Sequence, residues 1–456
     1  MKINVVNEKP EKVKTKLLIL PEKSNEESID IVKGRFSAER TVKINLKKFS
    51  SKSMRKLGAK AVKISKDFKQ DEFSIAVPKT ENPEEDSQSI AEGIILAEYS
   101  FDRFKTKSKK TKIKKVDFVV QENIKEVKTG VKTGEIISKY VYLARDFVNN
   151  PSNHETPSAF ANRIADASKK NKLKIKIYNQ KAIENMGMGC LLGVASGSRE
   201  EPKIIVVEYK GNRKKDFYAL IGKGVTFDSG GISLKPSDKM HEMKGDMAGA
   251  AVVAAAINAI AELKLPVNIT AVIPCVENMP GGNAMKPGDI LLSMSGKTVE
   301  VINTDAEGRL IMADTIHYIS KEKPKAIIDI ATLTGACTVA LGYETSGLFG
   351  NNEKLMDKIF EAGNKVDEHV WKLPISREHQ RAIKSDLADI KNMGYDTGAG
   401  GASTAAAFLK EFTNGIDWAH IDIGGAFWAK NDKKYLKKGA TGWGVRLFVE
   451  FFNNKF

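Results

Sequence analysis

The sequence predicts an α/β protein of two domains: a smaller N-terminal α/β domain and a larger C-terminal α/β domain with a central mixed sheet flanked by helices. Three observations predict it. Strand-like and helix-like runs alternate along the chain, the pattern of layered α/β folds. Near residue 150, "NNPSNHETP" breaks a helical period with two prolines and three asparagines, which is turn chemistry. At 456 residues the chain is also long for a single hydrophobic core.

In the first part, residues 1–135, the short runs "KLLIL", "TVKINL", "FSIAV" and "KVDFVV" read as strands, and "SIAEGIILAEYSFDRF" reads as a helix. "VKTGEIISKYVYLARDFVNN" is helical in period and supplies a linker helix over 136–150. From 151 to 456 glycine and alanine become more frequent. There "KIIVVEY", "DFYALIGKG", "VNITAVIPCVEN", "PKAIIDIATLTG" and "WAHIDIGGAF" are strand-like, while "TAAAFLKEFT" and "GWGVRLFVEFFNN" are helical. The apolar run "MAGAAVVAAAINAIAEL" carries Asn258 and is shorter than the ~20 residues of a bilayer span. It predicts a buried alanine-rich helix and no membrane segment.

Composition narrows the class further. Apolar residues make up 41% and charged residues 29%, which suits buried cores. The three cysteines, Cys190, Cys275 and Cys337, are scattered without metal-type or redox-type spacing. That pattern argues for a reducing compartment, the cytoplasm, and the first residues show no secretory signal. The formal charge of +16 is concentrated in stretches such as "FDRFKTKSKKTKIKKVDF". A basic face can contact nucleic acid, but no aromatic interleaving or binding module accompanies it, so only weak binding without sequence preference is expected.

Two clusters carry chemistry. In "NTDAEGRL", Asp305, Glu307 and Arg309 stand at i, i+2 and i+4. In an extended segment their charged heads would share one side, and two adjacent carboxylates then need a cation between them. "TDAE" also fits a capping box, with Thr304 capping a helix and Glu307 reaching back. Gly308 speaks against the cap, since glycine in a first helical turn costs about 1 kcal/mol relative to alanine.

The second cluster, "GKGVTFDSGGISLKPSDKMHEMKGDMAGAA", holds Lys223, Asp228, Lys235 and Asp246 after a strand-like run. Asp246 could simply cap the apolar helix behind it. The glycine pattern lacks the order of a phosphate loop, and "DSGG" lacks the histidine context of a serine protease. No "HExxH" occurs, and His241 is the single histidine inside the motifs. Four carboxylates with three cations suit two divalent ions held by ligands from two loops.

These motifs, "GKGVTFDSGGISLKPS", "MKGDMAGAA", "NTDAEGRL", "ATLTGA" and "GATGWGVRL", resemble in order and spacing the leucyl aminopeptidase family of dinuclear metallopeptidases, the cytosol aminopeptidase and bacterial aminopeptidase A type. The resemblance spans essentially residue 150 to the end and makes 151–456 a dinuclear-metal peptidase domain. It leaves 1–135 as an α/β, macro-like domain. It implies Lys223, Asp228, Asp246, Asp305 and Glu307 as metal ligands, with Asp228 and Glu307 bridging, Asp246 and Lys223 completing one site and Asp305 the other. A ligating Lys223 must be neutral, its pKa driven below the usual value of about 10.4 by two dications.

The resemblance further implies Lys235 and Arg309 as catalytic residues. Lys235 would hold the oxyanion, and Arg309 would hold a bicarbonate ion that serves as general base. Met243, Thr332 and Gly335 would line the pocket for the first side chain, and the Leu333 carbonyl would hold the substrate amide. "DIGGAF" departs from the family's usual "DIAG" at Gly424, and Phe427 would reshape that pocket. Implied too are zinc, manganese or magnesium as the ions, peptides with leucine-like N-termini as substrates, and a homohexamer of two stacked trimers. Some bacterial relatives bind DNA, so a DNA-binding hexamer using the basic N-terminal domain is the alternative.

Overall fold

The computed structural model describes residues 1–32, 36–107, 112–395 and 398–453. They form two compact units, Met1–Tyr142 with Lys365–Asp367 and Lys430–Lys438, and the remainder from Leu143 onward.

The first unit is built on six strands: β1 (Lys2–Asn7), β2 (Leu18–Lys23), β3 (Ile29–Val32), β4 (Thr41–Leu46), β5 (Glu72–Ala76) and β6 (Lys115–Val120). Their order is β1-β6-β5-β2-β4-β3, with neighbours parallel except β3, which is antiparallel at the edge. β1 and β3 escape the sequence reading because neither buries a residue, so neither shows a buried alternation. Helix α1 (Ser51–Asp67) escapes it because lysines interrupt its apolar face of Met54, Leu57, Ala61 and Ile64.

α1 packs on α2 (Pro83–Ala97) at two glycines. A Cβ on Gly58 would lie 2.3 Å from the Ile90 carbonyl oxygen, and one on Gly93 would lie 2.0 Å from that of Arg55. The Arg55 Nε–H donates to Glu92 at 2.7 Å, both side chains 1% exposed, so each buried charge has its counter-ion. Of the basic stretch at 101–118, residues 108–111 lie outside the described residues; Lys114 pairs with Asp71 and Lys115 with Asp117.

The linker helix expected over 136–150 is the C-terminal half of a longer helix, α3 (Ile124–Asn149). The division between units falls inside it, at Tyr142 and Leu143. The reason lies in its first half: Gly130 and Gly134 let α3 close on the backbone of Glu84 and Gln88 in α2. Those turns therefore belong to the N-terminal unit.

The main sheet of the second unit has nine strands: β7 (Lys174–Tyr178), β8 (Lys203–Lys210), β9 (Tyr218–Gly222), β10 (Gly224–Asp228), β11 (Asn268–Asn278), β12 (Ala326–Ala331), β13 (Thr345–Gly350), β14 (His369–Lys372) and β15 (Trp418–Asp422). The order is β14-β13-β15-β12-β9-β11-β8-β7, with β10 also on β11. The central strands β15, β12, β9 and β11 are parallel, and antiparallel pairing begins at β13 and β8, giving the expected mixed sheet.

Helices cover both faces. In α4 (Ala248–Glu262) every residue from Ala248 to Ala261 is buried, and Gly249 lets it approach the Ile330 carbonyl. α5 (Glu307–Ser320) and α6 (Gly401–Lys410) pack with Ala219, Ile221 and Ile327, which alternate with Ile330 and point to the opposite face. One helical run, Met240–Glu262, is long and apolar enough to cross a membrane, but most of it is buried in the unit.

Asp314 fixes α5 in place. Its fully buried carboxylate accepts the Leu191 N–H at 3.0 Å and the Met294 N–H at 2.8 Å. Burial pushes its pKa up to about 7 despite those bonds. The folded protein therefore holds a proton that the unfolded chain releases near the reference value of about 3.9. Its contribution to stability should fall as pH rises from about 4 to about 7. Urea unfolding of the wild type and Asp314→Asn across that window should show the wild type losing its relative advantage with rising pH. A difference independent of pH would contradict this.

Candidate metal centre

The C-terminal ends of the parallel strands meet at one edge of the sheet, where open α/β sheets bind ligands. Lys223 follows β9, Asp228 ends β10, Asn278 ends β11, Thr332 follows β12 and Asp422 ends β15. α5 starts at the same edge with Glu307, an acidic residue favoured at a positive helix end.

Neither sequence reading of "NTDAEGRL" holds in full. The segment is not extended: Asp305 sits in a turn, and Glu307 and Arg309 lie in the first turn of α5. The cap fails as well, because the N-cap is Ala306 with no side-chain bond. The Thr304 hydroxyl instead donates to the Gly230 carbonyl at 2.6 Å and accepts the Ser233 N–H at 2.8 Å, joining the two motif loops. Asp246 does not cap α4 either; its Oδ1 accepts from Lys223 at 2.8 Å and from the Thr332 hydroxyl at 2.7 Å.

Gly308 has a steric role that the sequence did not disclose. A Cβ there would lie 2.5 Å from Lys223 Cε and 2.7 Å from its Nζ. Lys223 is 3% exposed, so its side chain occupies the space that glycine leaves. Its ammonium donates to Asp246 Oδ1 at 2.8 Å and to the Thr332 carbonyl at 2.9 Å, and lies 2.8 Å from Glu307 Oε1. Lys235 lies 2.7 Å from Asp228 Oδ2 and also contacts Asp305.

The electrostatics follow from this crowding. Burial pushes Asp228 up to about 6, with Glu307 adding to the shift and both lysines opposing it. Burial likewise raises Asp246 and Asp305. Glu307 goes the other way: burial opposes its charge, but Lys223 and Lys235 hold it below the usual carboxylate value. Burial pulls Arg309 down to about 10. Lys223 is disfavoured as a cation by burial, yet Asp246, Glu307 and Asp228 drive its pKa up. With carboxylates as its charged neighbours the lysine is protonated, so the neutral amine expected from the sequence requires dications beside it.

The donor set fits divalent ions. Asp228, Asp305 and Glu307 each place an oxygen within 4.8 Å of the others. Among the described residues, buried Asp246 Oδ2, Asp305 Oδ1 and Glu307 Oε1 accept no hydrogen bond, and only ammonium ions stand close to them. Oxygens left this way are costly without a cation, and a carboxylate-rich set suits hard or borderline dications. Arg309 donates from Nη1 to the Asn392 carbonyl at 2.7 Å, while its buried Nε–H has no partner among the described residues, a donor that suits an anion.

All the site residues read from the sequence line one cavity of about 420 Å³: Lys223, Asp228, Lys235, Met243, Asp246, Asp305, Glu307, Arg309, Thr332, Leu333 and Gly335. Its remaining wall is largely apolar, with Ala336, Met393 and Phe427 beside Met243 and Leu333. Gly424 also lines it. His241 is exposed and outside that lining.

Supporting residues went unseen. Asn278 donates to Asp228 Oδ1 at 2.9 Å and to the Thr304 carbonyl at 3.0 Å. The Asn392 amide oxygen accepts from Ile302 N–H at 2.8 Å, and its Nδ2 donates to the Asn303 carbonyl at 2.7 Å. Asparagines at such separations give no local spacing to read.

Known proteins are similar to this chain. A family model described as "Cytosol aminopeptidase family, catalytic domain" matches residues 142–449, and one described as the N-terminal domain of that family matches 45–108. A probable cytosol aminopeptidase of Geobacter sp. (strain M21) is 42% identical over 92% of this chain and 87% of its own length. A cytosol aminopeptidase of Rickettsia prowazekii (strain Madrid E) is 46% identical over 79% and 73%. Among solved structures, the bottromycin maturation enzyme BotP in complex with Mn superposes with a TM-score of 0.87 at 29% identity, covering 96% of this chain and 99% of that one.

Proposed function

The chain belongs to the cytosol aminopeptidase family and is a hydrolase of the aminopeptidase type, and from that premise we propose that it releases leucine-like N-terminal residues from peptides with the help of two divalent metal ions. The observation that carries this reading is the convergence of four carboxylates and a buried lysine on one cavity, opposite an apolar wall.

Asp228, Glu307, Asp246, Asp305 and a neutral Lys223 would hold the ions. When bound, the ions supply Lewis acidity toward the scissile carbonyl and the attacking water, and an anchor for the free α-amine. The ammonium of Lys235 stabilises the oxyanion that develops on that carbonyl. Arg309 would hold a bicarbonate through its Nε–H; a guanidinium is too basic to take the proton itself. The Leu333 carbonyl accepts the N–H of the scissile amide, while Thr332 braces Asp246. Met243 and Phe427 face the first side chain, and an adaptable thioether suits leucine or methionine there.

The Mn in the BotP complex supports manganese as one of the ions, with zinc and magnesium also compatible with oxygen donors. The names of the relatives support a cytoplasmic setting. The hexamer of two trimers is the assembly proposed with this family assignment. The matches are to peptidases and lend no support to a DNA-binding role.

The test is direct. Leucine amide should be hydrolysed with added manganese, lose turnover on chelation and regain it on readdition, while N-acetyl-leucine amide should resist. Cleavage of the acetylated substrate at an equal rate would defeat the proposal.

A further inference from the structure

The loop after β12 is tied to the strand beside it by one carboxylate behind the cavity wall. Asp422 is fully buried, ends β15, and stands in register with Ala331 at the end of β12. Its Oδ1 accepts the N–H of Leu333 at 3.2 Å, of Thr334 at 3.4 Å and of Gly424 at 3.0 Å. Its Oδ2 accepts the Thr334 hydroxyl at 2.6 Å. That hydroxyl has a fixed sense, because it also accepts the Cys337 N–H at 3.0 Å, which commits its proton to Asp422.

The loop is held at its other end by the metal-centre residues. Lys223 donates to the Thr332 carbonyl, and the Thr332 hydroxyl donates to Asp246. Leu333 is thus suspended between the carboxylate cluster and Asp422. Gly424 completes the template: a Cβ there would lie 2.5 Å from the Thr334 carbonyl oxygen and 3.2 Å from Asp422 Oδ1. The departure from "DIAG" at this position is what permits the close approach seen here.

We propose that Asp422, acting through Thr334, is the positioning residue that aims the Leu333 carbonyl at the scissile amide. This rests on the peptidase reading and on the role given there to Leu333. Asp422 is buried and is not among the residues lining the cavity; it sets where an acceptor stands, and small displacements of such groups are costly to rate. The consequence is selective. An amide substrate has an N–H for the Leu333 carbonyl, and an ester has none, so disturbing the loop should weaken amide cleavage more than ester cleavage.

The experiment compares leucine amide with leucine methyl ester in the wild type, Thr334→Val and Thr334→Ser. Thr334→Val removes the hydroxyl at constant shape and avoids the folding risk of replacing Asp422. Its kcat/KM should fall about tenfold more on the amide than on the ester, the worth of one hydrogen bond. Thr334→Ser should stay within about twofold on both, since it keeps the bond. Hydrogen exchange at the Leu333 and Thr334 amides should quicken in Thr334→Val and stay slow in Thr334→Ser, independently of turnover. Equal losses on both substrates, or unchanged exchange, overturn the proposal while leaving the peptidase reading intact. A wild type that cleaves neither substrate overturns both.

Discussion

Gly308→Ala should silence the enzyme while leaving its fold as stable as before. Gly308 is the second residue of α5 and has a helical, negative φ, so alanine fits the backbone and should gain up to about 1 kcal/mol in helix propensity. The new Cβ would meet Lys223 Cδ, Cε and Nζ at 2.9, 2.5 and 2.7 Å. A lysine tip elsewhere would swing away. Here it is buried and held by Asp246, Glu307 and Thr332, so yielding means leaving the cluster. A displaced catalytic-site group costs on the order of 100-fold, and that loss in kcat/KM is expected, together with about one fewer bound metal ion per chain by elemental analysis. An unchanged metal content with full turnover would show that Lys223 is no ligand.

Lys235→Met should produce the other large effect, with a different signature. The side chain keeps its bulk but loses the charge that would meet the developing oxyanion. Removal of one such preorganised group costs about 10²–10³ in kcat, with KM little changed, because the interaction strengthens only in the transition state. Metal content should not fall. The Lys235 ammonium lies against Asp228 and Asp305, two expected ligands, so its loss removes a competing cation. A rise in KM at constant kcat would assign Lys235 to ground-state binding instead.

Much of this was legible in one dimension because its determinants are local. The alternation of strand and helix, the alanine-rich α4, and the two charged motifs each lie within short windows, and the motifs lie in loops flanking buried elements. β1, β3 and α1 were not legible. Their burial is slight or broken by lysine, so the pattern that betrays an element is weak in them. The linker helix was misjudged in extent because its start is set by Gly130 and Gly134 pressing on α2, a contact with no local signature.

The sequence by itself determined which residues could make the centre: four carboxylates, two lysines and an arginine, grouped in two loops with too little positive charge to balance. Only the tertiary structure decided how they meet. Parallel strand ends bring loops some eighty positions apart to one edge, a turn running into α5 replaces the extended segment, and Gly308 opens the space for Lys223. Asn278, Asn392 and Asp422 enter on the same terms. Their partners lie far along the chain, and hydrogen bonds between distant segments are fixed by packing and register, which no local pattern of residues encodes.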